Sequence, residues 1–392
     1  MHPDNRLASS AKTAFQIDLL DLHSSNPTRY PFLLESAAQG TALGHFDILF
    51  AFPETTLRLD AEYQVHHDLS GVRQGFLDAF DAEWSDLKVP SSANSQVPFH
   101  GGWFVFLGYE LAAEIEPRLN LAPNPKLPVA FATRIPAAIV RDRQRSSAWI
   151  VAEPGYESMI DEIRFDIENL DEPPATPKNL IVRQSLAEEP PEKFLRAVRD
   201  AKHYIAAGDI FQANLSREWS GCLAPDVRPS DLYRNLRQSN PAPFAGLAVF
   251  DGIGVISSSP ERLLRARNGR VETRPIAGTR PRDHNLQADE PRRAELLSHP
   301  KERAEHIMLI DLERNDLGRI CKPGSVKVDE FMVVETYSHV HHIVSNISGW
   351  LRDGMSPGTM IRAVFPGGTI TGCPKVRCME IINELEDRAR GA

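Results

Sequence analysis

The stretch HPKERAEHIMLIDLERNDL, residues 299–317, puts Glu302, Glu305 and His306 at i, i+3 and i+4, on one face of a helix. Two carboxylates side by side serve either surface ion pairing, Lys301 with Glu305 for instance, or a Mg²⁺ site, because a hard cation takes carboxylate oxygens. In IFQANLSREW a period of two places Gln212, Asn214 and Ser216 on one strand face and Phe211, Ala213 and Leu215 on the other. That polar row is either a solvent-facing side or the wall of a polar pocket. A third acid, Glu261, follows a Ser-Pro break, and Thr279 follows Gly278, so both fall at strand irregularities where side chains are re-aimed. In YSHVHHIVSNISGW, His339 and His341 share a strand face while His342 points the other way, which argues against a shared metal. One of them is available as an acid or base, the alternative being a hydrogen-bonded structural histidine. Gly367 to Gly372 in FPGGTITGCPKVR has the G-x₄-G spacing of a phosphate loop, but Cys373 stands where Lys is required and Lys375 precedes Val376. What survives is a helix start, with Pro374 at its first position, whose free N–H groups suit a carboxylate.

These residues need elements to hold them. Phe194, Val198, Ala201 and Ile205 recur at helical spacing, and Gly208 just beyond predicts the helix stop. GLAVFDG, GVISSSPERLLRAR and RVETRPIAGTR, joined by Asp251-Gly252 and Asn268-Gly269, predict an antiparallel meander with type I′ turns. Val376, Met379, Ile382 and Leu385 mark an amphipathic helix after Pro374. Residues 27–64 and 101–113 read as β-rich. The Pro-rich, acidic run DEPPATPKNLIVRQSLAEEPP, residues 171–191, predicts a boundary near 180.

The whole composition is that of a folded protein: 392 residues, 42% hydrophobic and 25% charged, with formal net charge −9. That balance argues against binding nucleic acid, where Lys and Arg must neutralise phosphates. Four cysteines without CxxC spacing suggest a reduced compartment and weigh against a zinc site. No apolar run reaches the ~18–20 residues of a membrane span, and the first residues lack a signal-peptide pattern, so no membrane partner and a cytoplasmic location are expected.

Taken in order, FQANLS, SPER, PIAGTRPR, KERAEHIMLIDLERNDLGR, GSVKV, VHHIVS and FPGGTITGCPKVR closely resemble the chorismate-utilising enzymes, the family of anthranilate synthase component I, aminodeoxychorismate synthase component I and the isochorismate and salicylate synthases. RYPFLLES and GYELA resemble the first region of the amine-forming members. The resemblance implies an α+β fold with two large packed antiparallel β-sheets and flanking helices. It divides the chain into an N-terminal component I-like region, 1–180, and a chorismate-binding catalytic region, 190–392. The family continues past the last helix with further strands and a second acidic Mg²⁺ ligand, so the chain is expected to be truncated at its C-terminus.

Residue by residue, the resemblance implies Mg²⁺ on Glu302 and Glu305, Glu261 as general acid, and His342 in the position tied to pyruvate elimination. Gly278, Thr279, Gly367, Gly368, Thr369 and Lys375 are expected to bind substrate. Glu35, Ser36 and Pro241 resemble a tryptophan site, with Ala245 and Gly246 in place of larger residues. Gln212 stands where the water-adding members carry a Lys base, and a neutral amide cannot take a proton from water. Amination by ammonia from a separate glutamine amidotransferase subunit is therefore implied. Asn214, His341 and Gly367-Gly368 resemble the aminodeoxychorismate branch, leading to 4-amino-4-deoxychorismate, para-aminobenzoate and folate. Ala277, in PIAGT, stands where that branch often has a nucleophilic Lys, and here resembles the anthranilate branch. Anthranilate synthesis and an inactive paralogue acting as a binding protein are the alternatives.

Overall fold

Strand Phe32–Glu35 is an interior strand of the largest sheet, paired with Phe46–Ala51 along one edge and with Phe244–Phe250 along the other. The computed structural model describes residues 9–13, 17–38, 45–67, 75–87, 97–172, 177, 180–182, 185–283 and 285–392. The seven-stranded antiparallel sheet runs Ser9–Thr13, Ser147–Ala152, Ala137–Asp142, Phe46–Ala51, Phe32–Glu35, Phe244–Phe250 and Ile253–Ser259. On one face Leu33, Leu49, Ile139, Ile150 and Leu247 pack under Leu19, Leu20 and Leu22, Ile160 and Ile163, and Tyr233. These come from the helices Leu19–Ser25, Ser158–Glu168 and Pro229–Ser239.

The other face meets a four-stranded antiparallel sheet, Val65–His67, Thr56–Leu59, Ala130–Ile135 and Gly102–Leu107, through an aromatic layer. Phe32 stacks on Phe104 with centroids 4.0 Å apart, and Phe131 on Phe250 at 4.3 Å. Such large apolar rings supply much of the burial that holds two sheets face to face.

A five-stranded sheet carries Ala277, Gly278, Thr279, His341 and His342. Arg270–Thr273 and Ile276–Pro281 lie end to end along one edge of the long strand Val340–Trp350, and Lys327–Thr336 lies along the other. Arg265–Arg267 closes the far side. The helices Leu286–Ser298 and Pro300–Gly318 pack against this sheet. The fold is α+β with antiparallel sheets, as the resemblance implies.

Both expected hairpin turns form, with Asp251, Gly252, Asn268 and Gly269 all at positive φ. The single meander does not. Ile253–Ser259 remains in the seven-stranded sheet, and the chain passes at Ser259-Pro260-Glu261 into the five-stranded one, where 270–281 pairs with 340–350. Strand Phe244–Phe250 also pairs with Phe32–Glu35, so the largest sheet runs across the expected 180–190 boundary. Part of the 171–191 run lies outside the described residues; within the rest, Ala187–Glu188 pairs with Trp219–Ser220. The helix Pro191–Ala207 ends at Gly208 in the left-handed conformation, yet Ile205 of its apolar stripe is 42% exposed. Among the described residues no helix is long and apolar enough to cross a membrane.

Candidate functional site

Pro260 directly follows the strand Ile253–Ser259 and has no N–H to continue its ladder, so Glu261 emerges at a corner between two sheets. Its turn is closed by Ser259, whose Oγ donates to the Glu261 carbonyl at 3.0 Å and accepts the Glu261 N–H at 3.3 Å. The carboxylate Oε1 accepts from Thr369 Oγ1 at 3.0 Å and from the Ile276 N–H at 3.4 Å. Burial pushes the Glu261 carboxyl up to about 8; Glu313 adds to the rise, and the bonds from Thr369 and Ile276 oppose it. The group is therefore mostly protonated at neutral pH. Glu313, buried on Pro300–Gly318, is itself pushed up to about 7 by burial and by Asp316.

Thr369 belongs to the short turn Gly368–Ile370. A Cβ on Gly368 would lie 2.4 Å from Leu312 Cδ2, so any side chain there would force Leu312 to move for the turn to sit on the helix. Gly367 has no such restriction, but its carbonyl accepts from Thr371 Oγ1 at 2.9 Å. The polar strand face meets this turn: Asn214 Nδ2 donates to the Thr369 carbonyl at 2.9 Å, and the Asn214 N–H to Thr371 at 2.8 Å. Gln212–Ala213 pairs with Gly372–Cys373, which aims the Gln212 amide at Glu305, Nε2 to Oε1 at 3.0 Å. Of the polar row, Gln212 meets Glu305 and Asn214 the turn at Thr369, while Ser216 bonds Glu386 instead.

Glu302 accepts from Arg280 Nη1 at 3.2 Å. Beside it Gly278, with φ +74, sits in the irregularity between Ala277 and Thr279, and a Cβ there would meet Glu302 Oε2 at 3.0 Å. Glu302 and Glu305 offer hard oxygens about one turn apart, the donor set Mg²⁺ uses with one or two carboxylates and several waters. Among the described residues no group of three or more His, Cys, Asp or Glu could hold a metal on protein ligands alone. The pair fits a cation that shares its shell with a bound carboxylate. His306 does not join it: fully buried, it meets Ser345 Oγ through Nε2 at 2.7 Å, and burial holds it near 4, so it stays neutral.

The histidines divide as strand alternation requires. His341 bridges Asp289 at 2.8 Å and Thr336 at 2.9 Å, and the Asp283 N–H and His341 hold Asp289 down to about 2. His342 Nδ1 meets Thr279 Oγ1 at 2.9 Å, and burial lowers its proton affinity, leaving a neutral ring. His339 is exposed. Ala277 is 4% exposed and pairs with Ile343, which packs with Leu296 and Met332.

Two groups of expected residues sit elsewhere. In place of a substrate contact, the Lys375 ammonium is engaged inside the protein by Asp316 and by the Val364 carbonyl at 3.1 Å. Its helix, Lys375–Glu386, has Pro374 as N-cap, one position earlier than expected. Glu35 and Ser36 belong to the seven-stranded sheet, where Glu35 is held by Arg237 at 2.9 Å, Arg143 at 3.3 Å and Arg141 at 3.5 Å. Ser36 Oγ donates to the carbonyls of Phe46 and Pro243, and Pro241 lies in the loop after Pro229–Ser239. This carboxylate is already saturated by arginines. Glu313 went unnoticed in the sequence, although it continues the buried stripe His306, Leu309, Glu313, Asp316 at alternating spacings of three and four.

The profile of the chorismate binding enzymes matches residues 29–392. An anthranilate synthase component I-like protein of Synechocystis is 40% identical over 304 residues, 77% of this chain and 62% of that protein, so the chain spans about three fifths of that relative. Aminodeoxychorismate synthase component 1 of Bacillus subtilis is 41% identical over 325 residues, 80% of this chain and 68% of that one. The crystal structure of anthranilate synthase component I from Streptococcus pneumoniae superposes with a TM-score of 0.76 at 29% identity, covering 90% of this chain and 79% of that chain.

Proposed function

The chain belongs to the chorismate binding enzyme family, and on that premise we propose that it aminates chorismate to 4-amino-4-deoxychorismate, the component I reaction leading to para-aminobenzoate and folate. The observation that carries the chemistry is Glu261: a buried carboxyl, held by Thr369 and Ile276, that keeps its proton near neutral pH. Displacing a ring hydroxyl needs such an acid. Ammonia forms the C–N bond as the C–O bond breaks, the Glu261 proton leaves with the hydroxyl as water, and a proton from the new ammonium returns to the carboxylate. Mg²⁺ on Glu305 and Glu302 would supply Lewis-acid stabilisation of the ring carboxylate and of the charge that develops in the displacement. Thr279 and the Gly278 backbone would bind a carboxylate or the enolpyruvyl group.

Gln212 supports amination over hydration. Its amide donates to Glu305 and has no lone pair basic enough to activate water. Ammonia would come from a glutamine amidotransferase subunit, because the sequence carries no cysteine-hydrolase signature of its own. Asn214, His341 and Gly367-Gly368 favour the C4 product. Ala277 favours the second reading, anthranilate, because a methyl group forms no covalent ring intermediate and the neutral His342 could serve pyruvate elimination. Incubating the protein with chorismate, Mg²⁺ and ammonium and identifying the product by its chromophore decides between the two.

A further inference from the structure

Residues 386–391 contact three parts of the molecule at once, and Arg390 makes most of those contacts. Its Nε and Nη2 hold the two oxygens of Glu386 at 2.9 and 2.7 Å. Its Nη1 donates to the Ile370 carbonyl at 2.8 Å, and its Nη2 to that of Asn214. Four of its five N–H groups can be satisfied in this way. The guanidinium lies 4.8 Å from the centroid of the Tyr109 ring, and the Arg390 backbone N–H donates to Glu110 Oε1 at 2.7 Å. The neighbouring Gly391 exchanges bonds with both residues of this pair, its N–H reaching Glu110 Oε2 at 3.1 Å and its carbonyl accepting the Tyr109 N–H at 2.7 Å. The GYELA segment, which has no part in the chemistry above, is the seat of this arginine.

The two carbonyls matter because of their neighbours. Ile370 follows Thr369, whose hydroxyl donates to Glu261, and Asn214 lies two residues along the chain from Gln212, whose amide meets Glu305. Glu386 fixes the same segment from the other side, accepting from the Ser216 N–H at 2.7 Å and from its hydroxyl at 3.1 Å. A salt bridge that merely closed the helix end would need Glu386 alone. Arg390 instead joins two segments far apart in sequence, at the point where each hands a side chain to a different carboxylate.

We propose that Arg390 is a positioning residue for the amination: seated on Tyr109 and clamped by Glu386, it holds the 369–371 turn against the 212–216 segment, so that Thr369 and Gln212 reach Glu261 and Glu305 in one register. The kinetic part rests on the amination reading. The structural part does not.

The test compares Arg390→Ala, Arg390→Lys and, as a control, Arg388→Ala, whose side chain reaches Ser216 Oγ at 2.7 Å and Glu386 at 3.8 Å but neither carbonyl. Amide hydrogen exchange should be faster by about tenfold or more across 212–216 and 369–373 in Arg390→Ala, and unchanged in strands 137–152. Arg390→Lys, with one ammonium for two carbonyls, should move in the same direction, and Arg388→Ala, which touches only the Ser216 end, should match the wild type across 369–373. In turnover, kcat should fall about tenfold or more with KM for chorismate within about twofold, and added guanidinium should restore part of the loss. A helix-end role would leave kcat per folded molecule unchanged. Wild-type exchange rates across both segments in folded Arg390→Ala, or in Arg390→Lys if the alanine variant does not fold, overturn the proposal. A wild type that makes no amine from chorismate refutes the amination reading, while the exchange rates still decide the role of Arg390.

Discussion

Replacing Glu261 by Gln separates its role as an acid from its role as a hydrogen-bond acceptor. The amide oxygen can still accept from Thr369 and Ile276, so the corner keeps its shape. The proton is gone, and loss of a general acid costs about a hundredfold to ten-thousandfold in kcat. The same substitution has a stability signature. The wild-type carboxyl titrates near 4.5 when unfolded and near 8 when folded. Between those values the folded state holds more protons than the unfolded one, so the stability from this group is full below about pH 4.5, falls as pH rises, and is lost above about 8. Each pH unit in that window is worth about 1.4 kcal/mol, so by pH 7 the wild type gives up as much as about 3 kcal/mol, less what solvent screening removes. Glu261→Gln carries no such penalty: close to the wild type at pH 4.5, it should be the more stable protein at pH 8. Urea unfolding of both proteins at the two pH values measures the difference, and kcat against pH at fixed free ammonia should show an alkaline limb near 8 that the variant lacks. A variant with wild-type kcat, or a stability difference independent of pH, refutes the assignment.

Glu305→Gln should raise the Mg²⁺ concentration for half-maximal activity by about tenfold or more, since one charge leaves a hard-cation site; an unchanged Mg²⁺ titration contradicts the ligand assignment. Lys375→Met should destabilise the protein by about 3–5 kcal/mol in urea unfolding, because Asp316 is left as an unpaired buried charge. A normal stability with a raised KM would instead make Lys375 a substrate contact. With Ala277 in place of a lysine, the intact mass of the protein should stay unmodified throughout turnover, and a protein–ring adduct would show that another side chain attacks the ring.

Local chemistry was legible where it is decided locally. Asp251-Gly252 and Asn268-Gly269 specify their turns because few other residues tolerate two successive positive φ values. Gly208 stops its helix for a related reason, and the opposite aims of His341 and His342 follow from the pleat alone. Partner choice was not legible. The break at Ser259-Pro260-Glu261 shows that a strand ends but not that the chain then changes sheets, which depends on partner strands remote in sequence, Phe32–Glu35 before it and Val340–Trp350 after it. From the sequence Lys375 is expected to bind substrate, and its partner Asp316 lies 59 residues earlier, where no local pattern links the two. Glu313 and Arg390 gain their roles from contacts with the 367–373 turn, which no periodicity reveals.

The central claim is amination of chorismate at C4, and the most direct measurement is the ultraviolet spectrum and mass of the product formed from chorismate, Mg²⁺ and ammonium. The account predicts 4-amino-4-deoxychorismate, with its enolpyruvyl group retained and its ring not aromatic. Anthranilate and pyruvate as the products would contradict it.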